Sequence, residues 1–116
     1  MQAARQEPQR TAPRIHWDII KITYFRDLHS FLEHIRMQTD YTLVAVEQTE
    51  RSEGLTTFKH PEQPCFVFGN ENAGLGDDCV LNCERVVEIE MNGYHPCLNV
   101  GQASSVIFYD YCGKNK

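Results

Sequence analysis

This 116-residue chain lacks several features that would place it in a special class. It has no run approaching the ~20 apolar residues of a membrane span. Its first ten residues, MQAARQEPQR, have no apolar core of the kind a secretory signal needs, so export is not expected. Its five cysteines form no paired framework. The count is odd, and Cys65, Cys79 and Cys97 sit in or beside apolar runs. They read as reduced thiols of an intracellular protein. A positive excess is also missing. The formal net charge is −5, whereas a protein that lives on phosphate contacts usually presents a basic surface. The imbalance is uneven: residues 1–14 carry +2 and the remainder −7. Nucleic-acid binding would therefore have to come from a local patch, from the N-terminal segment or from a partner. There are no internal repeats.

What remains is an ordinary globular composition, 41% hydrophobic and 23% charged, in a length that suits one small domain. Residues 1–14 mix Gln, Arg, Pro and Ala without apolar periodicity and read as a flexible tail, leaving 15–116 for the domain. Their arginines would suit a mitochondrial presequence, but the segment is short and broken by Pro8 and Pro13. A cytoplasmic location is expected, with nuclear or mitochondrial placement open.

Apolar spacing then sets the elements. A short strand is expected around Ile19–Ile22. Leu28, Phe31, Leu32 and Ile35 recur at helical spacing, so a helix follows Asp27 and ends near Gln38–Asp40. Thr42–Val46 reads as a buried strand. Residues 49–63 are polar and suit a surface connection from which Leu55 and Phe58 point inward. Cys65–Phe68 is the next strand, and it leads into the loop Gly69-Asn-Glu-Asn-Ala-Gly-Leu75. Asp77 and Asp78 can cap a short helix through about Cys83. Val86–Met91 is a further strand, followed by the loop Asn92-Gly-Tyr-His-Pro-Cys97. A last helix starts near Asn99, with Val100, Ala103, Ser104, Ile107 and Tyr111 as its stripe. This alternation predicts an α/β fold with a parallel sheet.

Parallel sheets bind ligands beyond the carboxyl ends of their strands. The two glycine-bearing loops, 69–75 and 92–98, lie at such ends. Loop 69–75 is no P-loop, because the Lys-Ser/Thr pair is missing, and its glycine spacing is not that of a dinucleotide fingerprint. By spacing alone Glu71 is either a carboxylate that meets substrate or a solvated charge on a tight turn. His95 and Cys97 could suggest a nucleophile or a metal site. However, Cys79, Cys83 and His95 match no common zinc spacing, and buried thiols are commonly inert, so no metal is expected. Asn99 reads as a helix N-cap.

Taken together, the loops carry a resemblance. Phe66-Val-Phe-Gly-Asn-Glu-Asn-Ala-Gly-Leu75 resembles the second signature of the SpoU/TrmH branch of the SPOUT methyltransferases. Ile89-Glu-Met-Asn-Gly-Tyr-His-Pro-Cys-Leu-Asn-Val100 resembles the third. Leu43-Val-Ala-Val-Glu-Gln-Thr49 is similar to the family strand that precedes the second signature. The resemblance covers roughly residues 17–112. It implies a SPOUT-type α/β knot, a deep C-terminal trefoil that is an exception to the rule against threaded chains. It also implies transfer of a methyl group from S-adenosylmethionine to a ribose 2′-hydroxyl of RNA, with tRNA expected ahead of rRNA. By position, Gly69, Ile89 and Leu98 match cofactor contacts. Glu71 and Asn99 match the active-site glutamate and asparagine, and Cys97 stands where the family usually has serine. Glu90 replaces a usual proline. The first signature, with its Asn and catalytic Arg, has no counterpart in these 116 residues. The chain is thus similar to the C-terminal two-thirds of the domain, N-terminally truncated. A homodimer through the C-terminal helix is implied. The alternative is a catalytically inactive cofactor-binding or interaction module.

Overall fold

The computed structural model describes residues 20–70, 74–91 and 99–115. The chain divides into two compact units, residues 1–39 and 40–116. In the first, helix α1 spans Leu28–Gln38. Asp27 is its N-cap, accepting the Ser30 amide at 2.8 Å. That bond, together with nearby Arg26 and His29, holds the Asp27 carboxyl below its ordinary range. Leu32 and Ile35 are the buried members of the predicted stripe. At the other end, Thr39 closes the helix by returning both its amide and its hydroxyl to Ile35 O. Residues 20–22 form no strand, and residue 19, the start of the strand expected there, lies outside the described residues.

Among the described residues, the second unit holds four parallel strands: β1 Thr42–Val46, β2 Glu53–Gly54, β3 Pro64–Phe68 and β4 Arg85–Glu88. Their spatial order is β2-β4-β1-β3. β1 is central, and Leu43, Val44 and Ala45 are buried, as a strand covered on both faces requires. Val46 pairs with Phe68 of β3 and Val87 of β4, so three carboxyl ends lie side by side. Two further helices follow, α2 Asp77–Leu81 and α3 Val100–Lys114.

The elements differ from expectation in three places. The 49–63 connection contains β2, a two-residue edge strand paired with β4 through Glu53–Val87 and Gly54–Glu88. It also contains a 3-10 turn over Leu55–Thr57. So short a strand leaves no periodicity to read. β4 ends at Glu88 rather than Met91, because Ile89 turns onto the core and the Glu90 carboxylate turns to the Thr56 amide. Finally, α2 is capped by Gly76, and Asp77 and Asp78 lie in its first turn, where their charge favours the helix dipole instead.

One core cluster unites the layers. Val44, Leu55, Phe58, Val87 and Ile107 are buried together, with Val46, Phe66, Phe68 and Ile89 packed against them. Each of the five buried side chains contributes about 1.5–3 kcal/mol by burial. Helix α3 runs antiparallel to β3. Phe108 meets Phe66 and Phe68, while one turn later Tyr111 meets Phe66 and donates its hydroxyl to Glu62 O. The α3 N-terminus therefore lies on the carboxyl side of the sheet. Its C-terminus is fastened by Lys114, whose ammonium donates to Leu55 O at 2.6 Å and Phe58 O at 3.0 Å.

Candidate active site

Gly69 follows the last residue of β3. A Cβ there would overlap the carbonyl carbon of Gly74 and the amide nitrogen of Leu75. The two ends of the 69–75 loop thus touch backbone to backbone, which only glycine permits. The Gly74 amide donates to Asn70 O at 2.9 Å, and Gly74 has φ +64°. Residues 69–70 and 74–75 thus close against each other at the carboxyl end of β3. The Leu75 amide donates to the Glu47 carboxylate at 2.9 Å, so the loop is also tied to the end of central strand β1.

Ile89 lies at the corresponding end of β4, half-buried against the core. Because β3 and β4 flank β1, Gly69 and Ile89 sit on either side of it. Asn99 caps α3. Its side-chain oxygen accepts the Gln102 amide at 2.8 Å, and the Gln102 side chain accepts the Asn99 amide in return. This capping box fulfils the N-cap reading and uses only the oxygen of the Asn99 amide group. Of the predicted site residues, Gly69, Ile89 and Asn99 are thus on the carboxyl side of the sheet. Glu71, Cys97 and Leu98 lie outside the described residues, as do His95 and Trp17.

Three further thiols can be judged. Burial pushes the Cys65 and Cys79 thiols up. Burial, reinforced by Cys79, pushes Cys83 up to about 12. None of the three is a thiolate near neutral pH, so none is a ready nucleophile. Among the described residues no cluster of three or more His, Cys, Asp or Glu could hold a metal ion, and no helix is long and apolar enough to cross a membrane.

Two polar arrangements make contacts that the sequence reading did not place. Glu90, beside Gly54, is held below the usual carboxylate range. Partial burial opposes this, but hydrogen bonds from its own backbone and from Thr56 and Leu55 outweigh it. The other is an anchor under α3. His60 has a fully buried side chain, with Nε2 2.7 Å from Asp110 Oδ2, and Lys114 lies 3.0 Å from the same oxygen. Phe58, Phe66 and Tyr111 each meet the His60 ring edge to face. Burial alone would raise Asp110, yet hydrogen bonds from His60 and Lys114 hold it below its ordinary value. His60 is separated by 50 residues from its partner, so spacing carries no signal of the pair. Glu47, by contrast, directly follows an apolar strand and could have been singled out by that position.

The sequence and the fold have counterparts among known proteins. In sequence, 71 residues are 31% identical to the mouse tRNA (guanosine(18)-2′-O)-methyltransferase TARBP1, covering 61% of this chain and 4% of that protein. A second alignment, over 86 residues, gives 27% identity to the tRNA (guanosine(18)-2′-O)-methyltransferase of Saccharomyces cerevisiae, covering 73% of this chain and 6% of that protein. The chain therefore spans only a small part of these relatives' length. In structure, a chain studied for 2-OH methylation of C/U34 on tRNA superposes with a TM-score of 0.63 at 23% identity, covering 77% of this chain and 56% of that one. A Bacillus anthracis protein provisionally described as an RNA methyltransferase gives 0.62 at 25% identity, covering 85% and 63%. The sequence model of the SpoU rRNA Methylase family matches residues 3–109, extending N-terminal of Trp17 into the segment read as a tail. Covering nearly the whole chain, that match makes this protein a member of the SpoU rRNA Methylase family.

Proposed function

We propose that this chain binds S-adenosylmethionine and belongs to an enzyme that methylates a ribose 2′-hydroxyl of RNA, with tRNA as the substrate class. The observation that carries this reading is the grouping of Gly69, Ile89 and Asn99 on the carboxyl side of a parallel sheet in a SpoU family member. The tRNA class follows from the two curated relatives, both named for tRNA methylation.

The fit to the cofactor rests on chemistry. Strand ends offer backbone amides and carbonyls whose ladder partners have run out, and Ile89 offers an apolar wall. Gly69, Ile89 and Leu98 are the proposed contacts, within a knotted C-terminal half. S-adenosylmethionine supplies an electrophilic methyl group when bound. A 2′-hydroxyl is a poor nucleophile, so the protein must align it and help remove its proton. Glu71 is the proposed carboxylate for the proton. The Asn99 amide, oriented by its capping box, is the proposed aligning group, with Cys97 beside it. The acidic balance leaves RNA affinity to another surface or to a partner, and a homodimer through α3 is part of this reading.

The second reading is a cofactor-binding or interaction module without transfer. Mass spectrometry of 2′-O-methylated nucleosides, after incubation with unmodified tRNA, separates the two. The enzyme reading expects methylation that Glu71→Ala and Asn99→Ala abolish while the fold is retained. Full activity in both variants overturns the site assignment. Cofactor binding without methylation selects the module.

A further inference from the structure

The 69–75 loop is held at three points among the described residues. Two are backbone: the Gly69–Gly74 abutment and the amide of Gly74 on Asn70 O. The third is a side chain. Glu47 sits at the carboxyl end of β1, its own amide donating to Val87 O of β4 at 3.0 Å. One carboxylate oxygen accepts the Gln48 amide at 3.1 Å, which fixes the direction of the group. The other accepts the Leu75 amide at 2.9 Å. The same oxygen lies where a Cβ on Gly74 would be. The carboxylate is therefore wedged between the central strand and the closing end of the loop, with both oxygens committed to backbone amides. A charged acceptor in such a place forms a stronger bond than a neutral one.

The geometry points to Glu47 as a positioning residue: its carboxylate holds Gly74 and Leu75, beside Gly69, against the end of β1 where the cofactor is received, without itself touching the reacting atoms. This rests on the cofactor reading above. It also explains the absence of a side chain at Gly74. There the backbone must take a positive φ and at the same time leave room for the carboxylate.

The test uses the full chain and two near-isosteric variants. Glu47→Gln keeps an acceptor for Leu75, whereas Glu47→Met keeps the shape and loses it. Two quantities are measured: hydrogen exchange of the Leu75 amide by NMR, and S-adenosylmethionine affinity by calorimetry. Glu47→Met is expected to speed Leu75 exchange and weaken affinity by about tenfold or more, the size expected for loss of a charge-assisted bond. Glu47→Gln should fall between the parent and Glu47→Met in both, since it keeps one neutral acceptor for Leu75 and loses the charge. Unchanged Leu75 exchange in Glu47→Met overturns the inference, as does unchanged affinity with faster exchange. Equal losses in both variants overturn it too, since charge rather than an acceptor would then be required. Global unfolding of Glu47→Met also counts against it, because the carboxylate would be holding the fold and not the loop. If the parent chain binds no S-adenosylmethionine, the cofactor reading fails, and Leu75 exchange still decides the role of Glu47.

Discussion

The connection from β2 to β3 and the loop from β3 to α2 are held by different means. The first, residues 55–63, is fastened by side chains reaching in from distant elements. Leu55 and Phe58 are buried, Lys114 gathers the Leu55, Thr56 and Phe58 carbonyls, and Arg85 stacks over the Phe58 ring at 4.6 Å while pairing with Glu53. The second, residues 69–75, is closed by glycine-to-backbone contact and by one carboxylate. The contrast teaches where stability and ligand chemistry reside. A connection fastened by buried side chains carries the fold. A loop whose described ends are closed by backbone holds its place without a buried side chain of its own there, which suits a site.

The largest expected effect is on the fastened connection. Phe58→Ala removes a fully buried ring from the core and should cost about 4 kcal/mol, measured by urea unfolding. A domain this small has total stability of about 5–15 kcal/mol, so the variant should lie near its unfolding threshold. Gly69→Ala sharpens the contrast from the other side. Its Cβ would strike backbone that cannot swing aside, so the loop must open. We expect a smaller loss of about 2 kcal/mol, with S-adenosylmethionine binding abolished. If Phe58→Ala cost less than Gly69→Ala, the division between the two regions would break down.

Acid should reach the fastened region through Asp110. Its folded-state value lies below the ordinary 3.8, so its ionised form is favoured by folding. That stabilising contribution is complete above 3.8 and is lost as pH falls below it. In Asp110→Asn the contribution is missing, so the difference in melting temperature between parent and variant should be steady above that pH and shrink below it. The smallest effect separates the two jobs of Asn99. Aspartate caps helices as well as asparagine does, so Asn99→Asp should hold stability within about 0.5 kcal/mol. Lacking the amide donors, it should lose methyl transfer.

Much of this was legible in the sequence because it is local. The α1 stripe, the β1 run and the Asn99 cap each rest on residues a turn or less apart, and all three stand where spacing put them. Leu55 and Phe58 were legible as apolar residues in a polar segment. What stayed hidden is non-local. β2 is too short for a pattern and exists through its pairing with β4. The extended reading of residues 86–91 failed beyond Glu88 because alternation cannot reveal that Glu90 would turn toward Thr56. The Asp77–Asp78 cap is a local exception, since the neighbouring Gly76 already supplies the extended backbone that a cap needs. At the site, family resemblance and strand-end position together marked Gly69, Ile89 and Asn99. The carboxylate of Glu47 reaches Leu75 across 28 residues, a contact that no spacing rule encodes.

The most direct test of the account is a calorimetric titration of the purified chain with S-adenosylmethionine, beside Gly69→Ala and Leu98→Asp. The account predicts saturable binding by the parent chain and none by either variant, with cooperative unfolding in all three. A cooperatively folded parent chain that binds no S-adenosylmethionine would contradict it.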